Sequence, residues 1–120
     1  MKLVITSQGF AMTSLVALRF GRAKYFFVVN TDTDAARPVD NKVNLNAIQG
    51  AGIQSGRKVI ELGAQAVITG YMGPKAFATL QAGGVSVYTC TEGTVADAIE
   101  QFKAGTLDMI ESATVEGHWT

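Results

Sequence analysis

The chain has 120 residues, 48% of them hydrophobic, which fits one globular domain that needs neither disulfides nor a structural metal. Ten cationic and ten acidic residues leave no net charge, which argues against a general binder of nucleic acid or membrane surfaces. The single cysteine excludes an internal disulfide, no apolar run could span a bilayer, and the N-terminus turns polar too soon for a signal peptide, so we expect a soluble cytoplasmic protein.

The first half of the chain predicts three strands. Residues 3–6 form a short apolar run that ends in turn residues, which is typical of a strand buried on both faces. The aromatic and β-branched residues 25–29 predict a second strand, joined through a hairpin turn at residues 32–34 to a third strand at residues 37–44. Pro38 favours an edge position for the third strand, because proline cannot donate to a strand ladder.

The second half of the chain alternates helices and strands. Helical spacing of apolar residues predicts a helix over residues 53–63, followed by a strand at residues 66–69. Proline in the first turn begins a second helix at residues 74–82, and a strand follows at residues 85–88. A last helix, residues 94–104, opens with a Thr-x-x-Asp pattern that resembles a capping box.

This order of elements predicts the fold class. Antiparallel pairing suits the first strands, and right-handed parallel crossovers suit the later ones. We therefore predict an α/β protein with a mixed five-stranded sheet covered by helices. The single domain is predicted to span residues 1–107, and residues 108–120 are predicted to form a C-terminal tail that carries His118 and Trp119.

Three glycine-containing stretches point to an anion site. They are RFGRA at residues 19–23, GAGIQ at residues 50–54 and GYMGPK at residues 70–75. Bare amides at a helix start hold negative charge, and arginines add donors and positive charge. Lys75 lies one residue into a helix, where the helix dipole disfavours a cation unless an anion is bound there. Glycines that only shape turns and arginines that are only solvated remain an open alternative.

Several enzyme classes do not fit the sequence. GAGIQSG at residues 50–56 is one residue longer than the dinucleotide fingerprint, and no P-loop pattern is present. His118 is the one histidine, so a Ser-His-Asp or Cys-His arrangement is not expected, and no carboxylates cluster for two-metal chemistry. We expect Cys90 to be a small buried hydrophobe. We therefore predict no enzyme activity, no catalytic residue and no side-chain ligand to a metal.

Taken in order, these motifs resemble the dinitrogenase iron–molybdenum cofactor biosynthesis family, which includes the NifX carriers and the C-terminal region of NifB. The resemblance covers residues 2–107 and implies a ribonuclease H-like, three-layer α/β/α fold without nuclease function. It also implies a role in holding or delivering a metal–sulfur cluster. The matching stretches lie at residues 19–23, 25–26, 50–54, 67–70, 73–77, 84–85, 87–88 and 93–107.

The segment before the arginine motif departs from the family pattern. Many members carry an acidic residue and a Ser-Pro there, whereas residues 10–18 are apolar and uncharged. An apolar loop beside cations suits a bulky, soft, anionic cluster, and no histidine lies within the matched motifs. The chain is therefore more similar to a member that holds a molybdenum–copper sulfide cluster without covalent attachment, and the alternative cargo is the iron–molybdenum cofactor or its precursor.

We predict a non-enzymatic carrier in which amides and cations hold the cluster, apolar residues exclude water, and other cytoplasmic proteins take part in delivery. A small-anion or nucleotide-binding sensor that uses the same amides stays open. So does a ligand-free scaffold that assembles through its edge strand near residues 37–44. The residues predicted to bind the cofactor are Met12, Arg19, Phe20, Gly21, Arg22, Gly50, Ala51, Gly52, Gly70, Met72, Gly73, Pro74 and Lys75.

Overall fold

The computed structural model describes residues 1–42 and 50–113, which form a six-stranded sheet between two layers of helices. In chain order the strands are β1 (Lys2–Ser7), β2 (Tyr25–Asn30), β3 (Ala36–Asp40), β4 (Ala66–Thr69), β5 (Ser86–Thr89) and β6 (Asp108–Ile110). The helices within these residues are α1 (Ala51–Glu61), α2 (Pro74–Ala82) and α3 (Val95–Ala104), and a short 3-10 turn lies at Phe20–Arg22. None of these helices has the length and apolar character needed to cross a membrane.

The sheet is mixed, as predicted, but it has one more strand than predicted. The strand order is β3-β2-β1-β4-β5-β6, with β1, β4 and β5 mutually parallel and the other strands antiparallel to their neighbours. The additional strand, β6, pairs Met109 with Tyr88 of β5 and lies at the start of the segment predicted to be a tail. Three residues are too few to show strand periodicity. Residues 114–120 of that tail, with His118 and Trp119, lie outside the described residues.

Both faces of the central strands are buried, which confirms the three-layer prediction. Val4 and Val67 point towards α1 and α2, and both side chains are fully buried. Ile5 and Ile68, the next residues along the same strands, point towards α3 and are equally buried. Because successive side chains of a strand alternate between faces, a strand covered on both sides must be apolar throughout.

The helices α2 and α3 begin at the residues that predicted their starts, and α3 ends at the predicted glycine. Pro74 occupies the first turn of α2. Before α3, the Thr94 hydroxyl accepts a hydrogen bond from the Asp97 amide (3.1 Å), and the Asp97 carboxylate accepts one from the Thr94 amide (3.0 Å). This is the capping box that the sequence pattern predicted. At the other end of α3, Gly105 adopts a left-handed conformation with φ of 73°.

Pro38 lies on the edge strand β3, as predicted, and it modifies the free edge. The Ala35 carbonyl accepts a hydrogen bond from the Asn30 amide (2.9 Å), and the Asn41 amide donates to the Lys24 carbonyl (2.9 Å). Odd-numbered residues of β3 therefore direct their backbone groups towards β2, and even-numbered residues direct theirs outwards. The missing N–H of Pro38 falls on the free edge, which is thereby a poor template for another strand.

We expect Pro38→Thr to promote self-association. The change restores an outward N–H in the middle of β3, and antiparallel pairing of two copies would then gain two hydrogen bonds. At about 1 kcal/mol each, these bonds strengthen association roughly 10- to 30-fold. Sedimentation velocity over a concentration series measures this effect. Ala36→Thr is the matched control, because residue 36 already has an outward N–H, and a Pro38→Thr protein that associates no more than this control would contradict the argument.

Candidate functional site

The structure brings the three glycine-containing stretches together at one corner of the molecule. The arginine loop (residues 17–24) lies between the start of α1 and the segment that joins β4 to α2. A Cβ placed on Gly21 would lie 3.0 Å from the backbone nitrogen of Gly52, so the loop and the start of α1 are in backbone contact. A Cβ placed on Gly70 would lie 2.6 Å from the Leu18 carbonyl oxygen. At Gly70 a side chain would force the two backbones apart, and at Gly21 it would be a tight contact that the neighbouring backbone would have to yield to.

Backbone hydrogen bonds fix the arginine loop beside the end of β4. The Tyr71 amide donates to the Leu18 carbonyl (2.6 Å), and the Phe20 amide donates to the Tyr71 carbonyl (3.1 Å). Arg19 and Tyr71 form an isolated parallel bridge. The loop therefore follows the chain that leads into α2, and Arg19 lies beside the start of that helix.

Threonine hydroxyls at the ends of the parallel strands support this corner, and those of Thr6 and Thr69 are buried. At the carboxyl ends of β1 and β4, the Thr6 hydroxyl lies 2.9 Å from the Thr69 hydroxyl and 3.2 Å from the Ala17 carbonyl oxygen. The Thr89 hydroxyl donates to the Gly70 carbonyl (2.9 Å). These contacts join three parallel strands to the two segments that form the corner. Sequence reasoning gave the threonines no role, since threonine at a strand end is common and carries no specific signal.

Asn41 joins the other end of the arginine loop to α1. Its side chain is buried, with 1% of the residue exposed, and its amide nitrogen donates to the Ala23 carbonyl (2.9 Å) and the Ser55 hydroxyl (3.2 Å). The backbone amide of Asn41 donates to the Lys24 carbonyl (2.9 Å). Sequence reasoning missed this residue, because its partners are distant along the chain and an asparagine after a strand is an ordinary turn residue.

Within the described residues, the first turns of α1 and α2 lack side-chain caps, and Ala51 and Gly52 of α1 are buried beneath the arginine loop. Neither helix has a side-chain cap or an acidic residue in its first turn, and each follows a glycine, Gly50 or Gly73. The geometry of a helix start leaves the first amides, such as those of Lys75 and Ala76, without intrahelical acceptors. Both helices lie on the same face of the sheet as the arginine loop, so their positive ends act on one region of space.

The start of α3 is closed, in contrast to α1 and α2. Besides the Thr94 cap, the Val95 amide donates to the Ser14 carbonyl (2.9 Å), and the Ala96 amide donates to the Met12 carbonyl (3.0 Å). The protein therefore supplies acceptors for the first amides of α3. Gly73 and Thr94 have similar extended backbone conformations, so the starts of α2 and α3 differ in the acceptors that surround them.

Met12 is not brought to the corner with the other predicted site residues. Its carbonyl contacts the start of α3, and its side chain lines a cavity of about 210 Å³ with Val29 and Ile99 on the α3 face of the sheet. The prediction that Met12 would shield the site therefore does not match its position. The loop from residue 8 folds over α3, because its carbonyls satisfy that helix, and sequence spacing alone did not indicate this.

Phe20 and Met72 lie beneath the corner and not on its surface. Both side chains are fully buried in the core between the sheet and the helices α1 and α2, and Phe20 stacks on Phe26 with ring centroids 6.1 Å apart. They support the loop from inside, so the expectation that they would face a ligand is not met. The predicted residues that the structure does bring together are Arg19, Gly21, Arg22, Gly50, Ala51, Gly52, Gly70, Gly73, Pro74 and Lys75.

Residues 1–42 and 50–113 hold no group of three or more histidine, cysteine, aspartate or glutamate side chains placed to bind a metal ion. Cys90 is 6% exposed, packs among the apolar residues facing α3, and its thiol donates to the Glu92 carbonyl (3.2 Å). It is the buried hydrophobe that the sequence predicted. Two cavities, of about 380 and 430 Å³, lie at opposite edges of the sheet, and no residue of the three glycine-containing stretches lines either of them.

The chain is similar to known proteins over most of its length. Residues 1–105 match a family model described as dinitrogenase iron-molybdenum cofactor. The apo form of the orange protein from Desulfovibrio gigas has a TM-score of 0.92 and 38% identity, over 95% of this chain and 96% of that chain. A NifB candidate from Thermotoga has a TM-score of 0.84 and 34% identity, over 97% of this chain and 98% of that chain. An uncharacterized protein from Methanocaldococcus jannaschii is 26% identical over 95 residues, which are 77% of this chain and 80% of that protein.

Proposed function

Because the chain belongs to the dinitrogenase iron–molybdenum cofactor family, we propose that it is a non-enzymatic carrier of an anionic metal–sulfur cluster. The observation that carries the proposal is the contrast between helix starts. Those of α1 and α2 lack side-chain caps and lie beside the arginine loop, whereas that of α3 is closed by the protein's own groups. A cluster with outward sulfides would supply negative charge and hydrogen-bond acceptors to these two helix starts.

The corner holds its cargo through backbone donors and cations. The first amides of α1 and α2 donate hydrogen bonds to sulfides, while Arg19, Arg22 and Lys75 balance the charge. Arg19 and Lys75 are exposed and Arg22 is partly buried, so all three can reach an anion seated on the surface. The cluster brings its own sulfur, so this binding needs no cysteine ligand. We propose that the cluster contains molybdenum and copper; the iron–molybdenum cofactor or its precursor is the alternative.

The proposal also concerns the compartment in which the protein works and the proteins that receive its cargo. We propose that the protein works in the cytoplasm and passes its cargo to other proteins of cluster assembly. The open position of the corner supports transfer, since a surface-held cluster is accessible to a recipient without unfolding of the carrier.

A reconstitution experiment tests the proposed function. Apo-protein is mixed with tetrathiomolybdate and Cu(I), desalted, and examined for a retained visible chromophore and for molybdenum and copper content. We expect the wild type to retain the chromophore and Arg19→Ala/Arg22→Ala to weaken retention by about 100-fold or more, since each charge-assisted hydrogen bond contributes roughly 1.5–3 kcal/mol.

The control for this experiment removes two charges elsewhere. Lys2→Ala/Arg37→Ala makes the same change in net charge but alters residues that line a cavity beside the β2–β3 hairpin. We expect this control to retain the chromophore. Full retention by the Arg19→Ala/Arg22→Ala protein would refute the proposed mode of binding.

A small-anion or nucleotide sensor is the second candidate, because open helix amides also accept phosphate. Calorimetric titration with inorganic phosphate and with nucleotides separates the two candidates: a sensor binds them at least as tightly as it binds a thiometallate. The ligand-free scaffold is disfavoured by Pro38, whose position weakens the β3 edge as an assembly surface.

A further inference from the structure

We propose that the cavity beside the β2–β3 hairpin is a second binding site, for a small organic carboxylate with a compact apolar body. This site goes beyond the proposed function, because it shares no residue with the corner. The cavity measures about 380 Å³, which is within the usual range for small-molecule sites, and its lining residues are Lys2, Val28, Asn30, Ala35, Ala36 and Arg37. Lys2 begins β1, whereas the corner lies at the other end of that strand, roughly 17 Å away.

The sheet register places the polar side chains of this cavity on one face. Val28 lies opposite Arg37 of β3 and Val4 of β1, and Lys2 of β1 lies opposite Asn30. Directly opposite residues project from the same face of a sheet, and so do residues two apart along a strand. Val4 points towards α1 and α2, so the three polar side chains project from that face too.

These polar side chains offer hydrogen-bond donors to a ligand. The Asn30 side-chain oxygen already accepts the amides of Asp32 (2.9 Å) and Thr33 (3.3 Å), which fixes the side chain and leaves its NH₂ group to donate. Lysine and arginine have donors and no acceptor. The residues that line the cavity include no acidic side chain. The matching ligand group is therefore one that only accepts, as an ionised carboxylate does.

The two cations of the cavity have no acidic partner within residues 1–42 and 50–113. The salt bridges among these residues involve neither Lys2 nor Arg37. Asp34 of the hairpin turn pairs instead with Lys103 of α3. An anion in the cavity would therefore gain charge-assisted hydrogen bonds without displacing an existing ion pair.

The position of Lys2 is set by the segment that follows α1. The Lys2 amide donates to Gln65 Oε1 (3.1 Å), and the Gln65 amide donates to the Lys2 carbonyl (2.9 Å). The Lys2 ammonium lies 3.4 Å from where a Cβ on Gly63 would stand, at the end of α1, and the helix dipole favours a cation there. A ligand would therefore meet a cation that is already in place, at a small cost in side-chain freedom.

The apolar part of the cavity favours an organic anion over an inorganic one. Val28, Ala35 and Ala36 present methyl groups, and the stems of the two cations add methylenes. Covering about 50 Å² of this surface corresponds to about a tenfold gain in affinity, which inorganic phosphate cannot obtain. The planar fork of an arginine also matches a carboxylate through two parallel hydrogen bonds.

An NMR titration of the isotope-labelled full chain at constant ionic strength tests the site. Benzoate is the probe, benzamide has the same shape without the charge, and acetate and inorganic phosphate are anions without the apolar body. We expect benzoate to shift the amide resonances of Asn30, Ala35 and Ala36 saturably. It should bind about tenfold more tightly than each of the other three compounds.

Substitutions in the cavity provide the second part of the test. Arg37→Gln and Lys2→Gln should each weaken benzoate binding about tenfold or more, since each removes a charge-assisted hydrogen bond. Asn30→Asp should weaken it by at least as much, because it keeps the turn and replaces a donor with a negative charge. Arg57→Gln is the matched control, since Arg57 is an exposed arginine of α1 that does not line the cavity. The same spectra verify that each variant is folded.

The outcomes decide between this site and the corner. Weaker benzoate binding in the three cavity variants, with Arg19→Ala/Arg22→Ala and Arg57→Gln unaffected, supports the second site. Absence of saturable shifts, equal binding of benzamide, or a loss that occurs only in Arg19→Ala/Arg22→Ala overturns it. Chromophore retention is measured separately, so failure of the second site leaves the carrier proposal unchanged.

Discussion

Gly70→Ala is expected to destabilise the protein by about 3 kcal/mol, near the upper end for an overpacked site. The added Cβ would lie 2.6 Å from the Leu18 carbonyl oxygen and 2.7 Å from its Cα, both backbone atoms. The Leu18 carbonyl cannot move away without breaking its hydrogen bond to the Tyr71 amide. Urea denaturation with linear extrapolation measures the loss.

Gly84→Ala is the control for this prediction. Gly84 has a positive φ of 75°, and a Cβ added there would have no atom within 4 Å, so the change costs only backbone strain, about 1 kcal/mol. Gly70 has no such strain, and its cost comes from the contact alone. A Gly70→Ala protein no less stable than Gly84→Ala would show that the arginine loop is not packed against β4 as described.

Asn41→Asp is expected to destabilise the protein by roughly 3 kcal/mol or more at neutral pH, because it buries a charge that faces the Ala23 carbonyl oxygen. The present amide donates to the Ala23 carbonyl and the Ser55 hydroxyl, and a carboxylate can donate to neither. Asn41→Ala should cost less, about 1–3 kcal/mol, since it only removes these bonds. The order of the two variants in thermal unfolding tests the buried donor directly.

The pH dependence of Asn41→Asp provides a second measurement. Burial raises the pKa of the introduced carboxyl above its unfolded value, because the neutral form can donate where the charged form cannot. The folded state then binds more protons than the unfolded state between the two pKa values, so stability falls as pH rises through that window. The destabilisation relative to wild type should therefore shrink towards acid pH.

Asn30→Asp is the matched control for charge. The Asn30 side-chain oxygen accepts hydrogen bonds from the Asp32 and Thr33 amides at an exposed turn, and a carboxylate accepts them equally well. This variant should be close to wild type in stability. If Asn41→Asp behaved like it, the bridge between the arginine loop and α1 would not exist.

Local signals in the sequence explain what could be predicted. The apolar run of β1, the Pro38 edge, the Pro74 helix start and the capping box at Thr94 each depend on neighbouring residues, and the structure confirms each one. The corner was predictable in part, because the glycine stretches follow strands whose carboxyl ends must share one side of the sheet. The helices α1 and α2 begin at this edge of the sheet because each follows a strand that ends there.

Contacts between distant segments explain what could not be predicted. Asn41 acts through Ser55 and Ala23, which no local pattern connects to it. Met12 lies beside α3 because that helix needs acceptors, which is a requirement of the folded state and not of the loop itself. β6 is stabilised by pairing with β5, so its three residues carry little signal of their own.

Among the described residues, the arginine loop is held by contacts with other segments of the chain, at Thr6, Asn41, Gly52, Gly70 and Tyr71. A chain that ends before Tyr71 therefore lacks the corner, and under the proposed function it could not bind cargo. Linkage then requires that cargo raise the melting temperature, by an amount that corresponds to about 2.7 kcal/mol at a free concentration 100 times the dissociation constant. A simple thermal scan of the purified protein thus becomes a gauge of how many molecules are occupied.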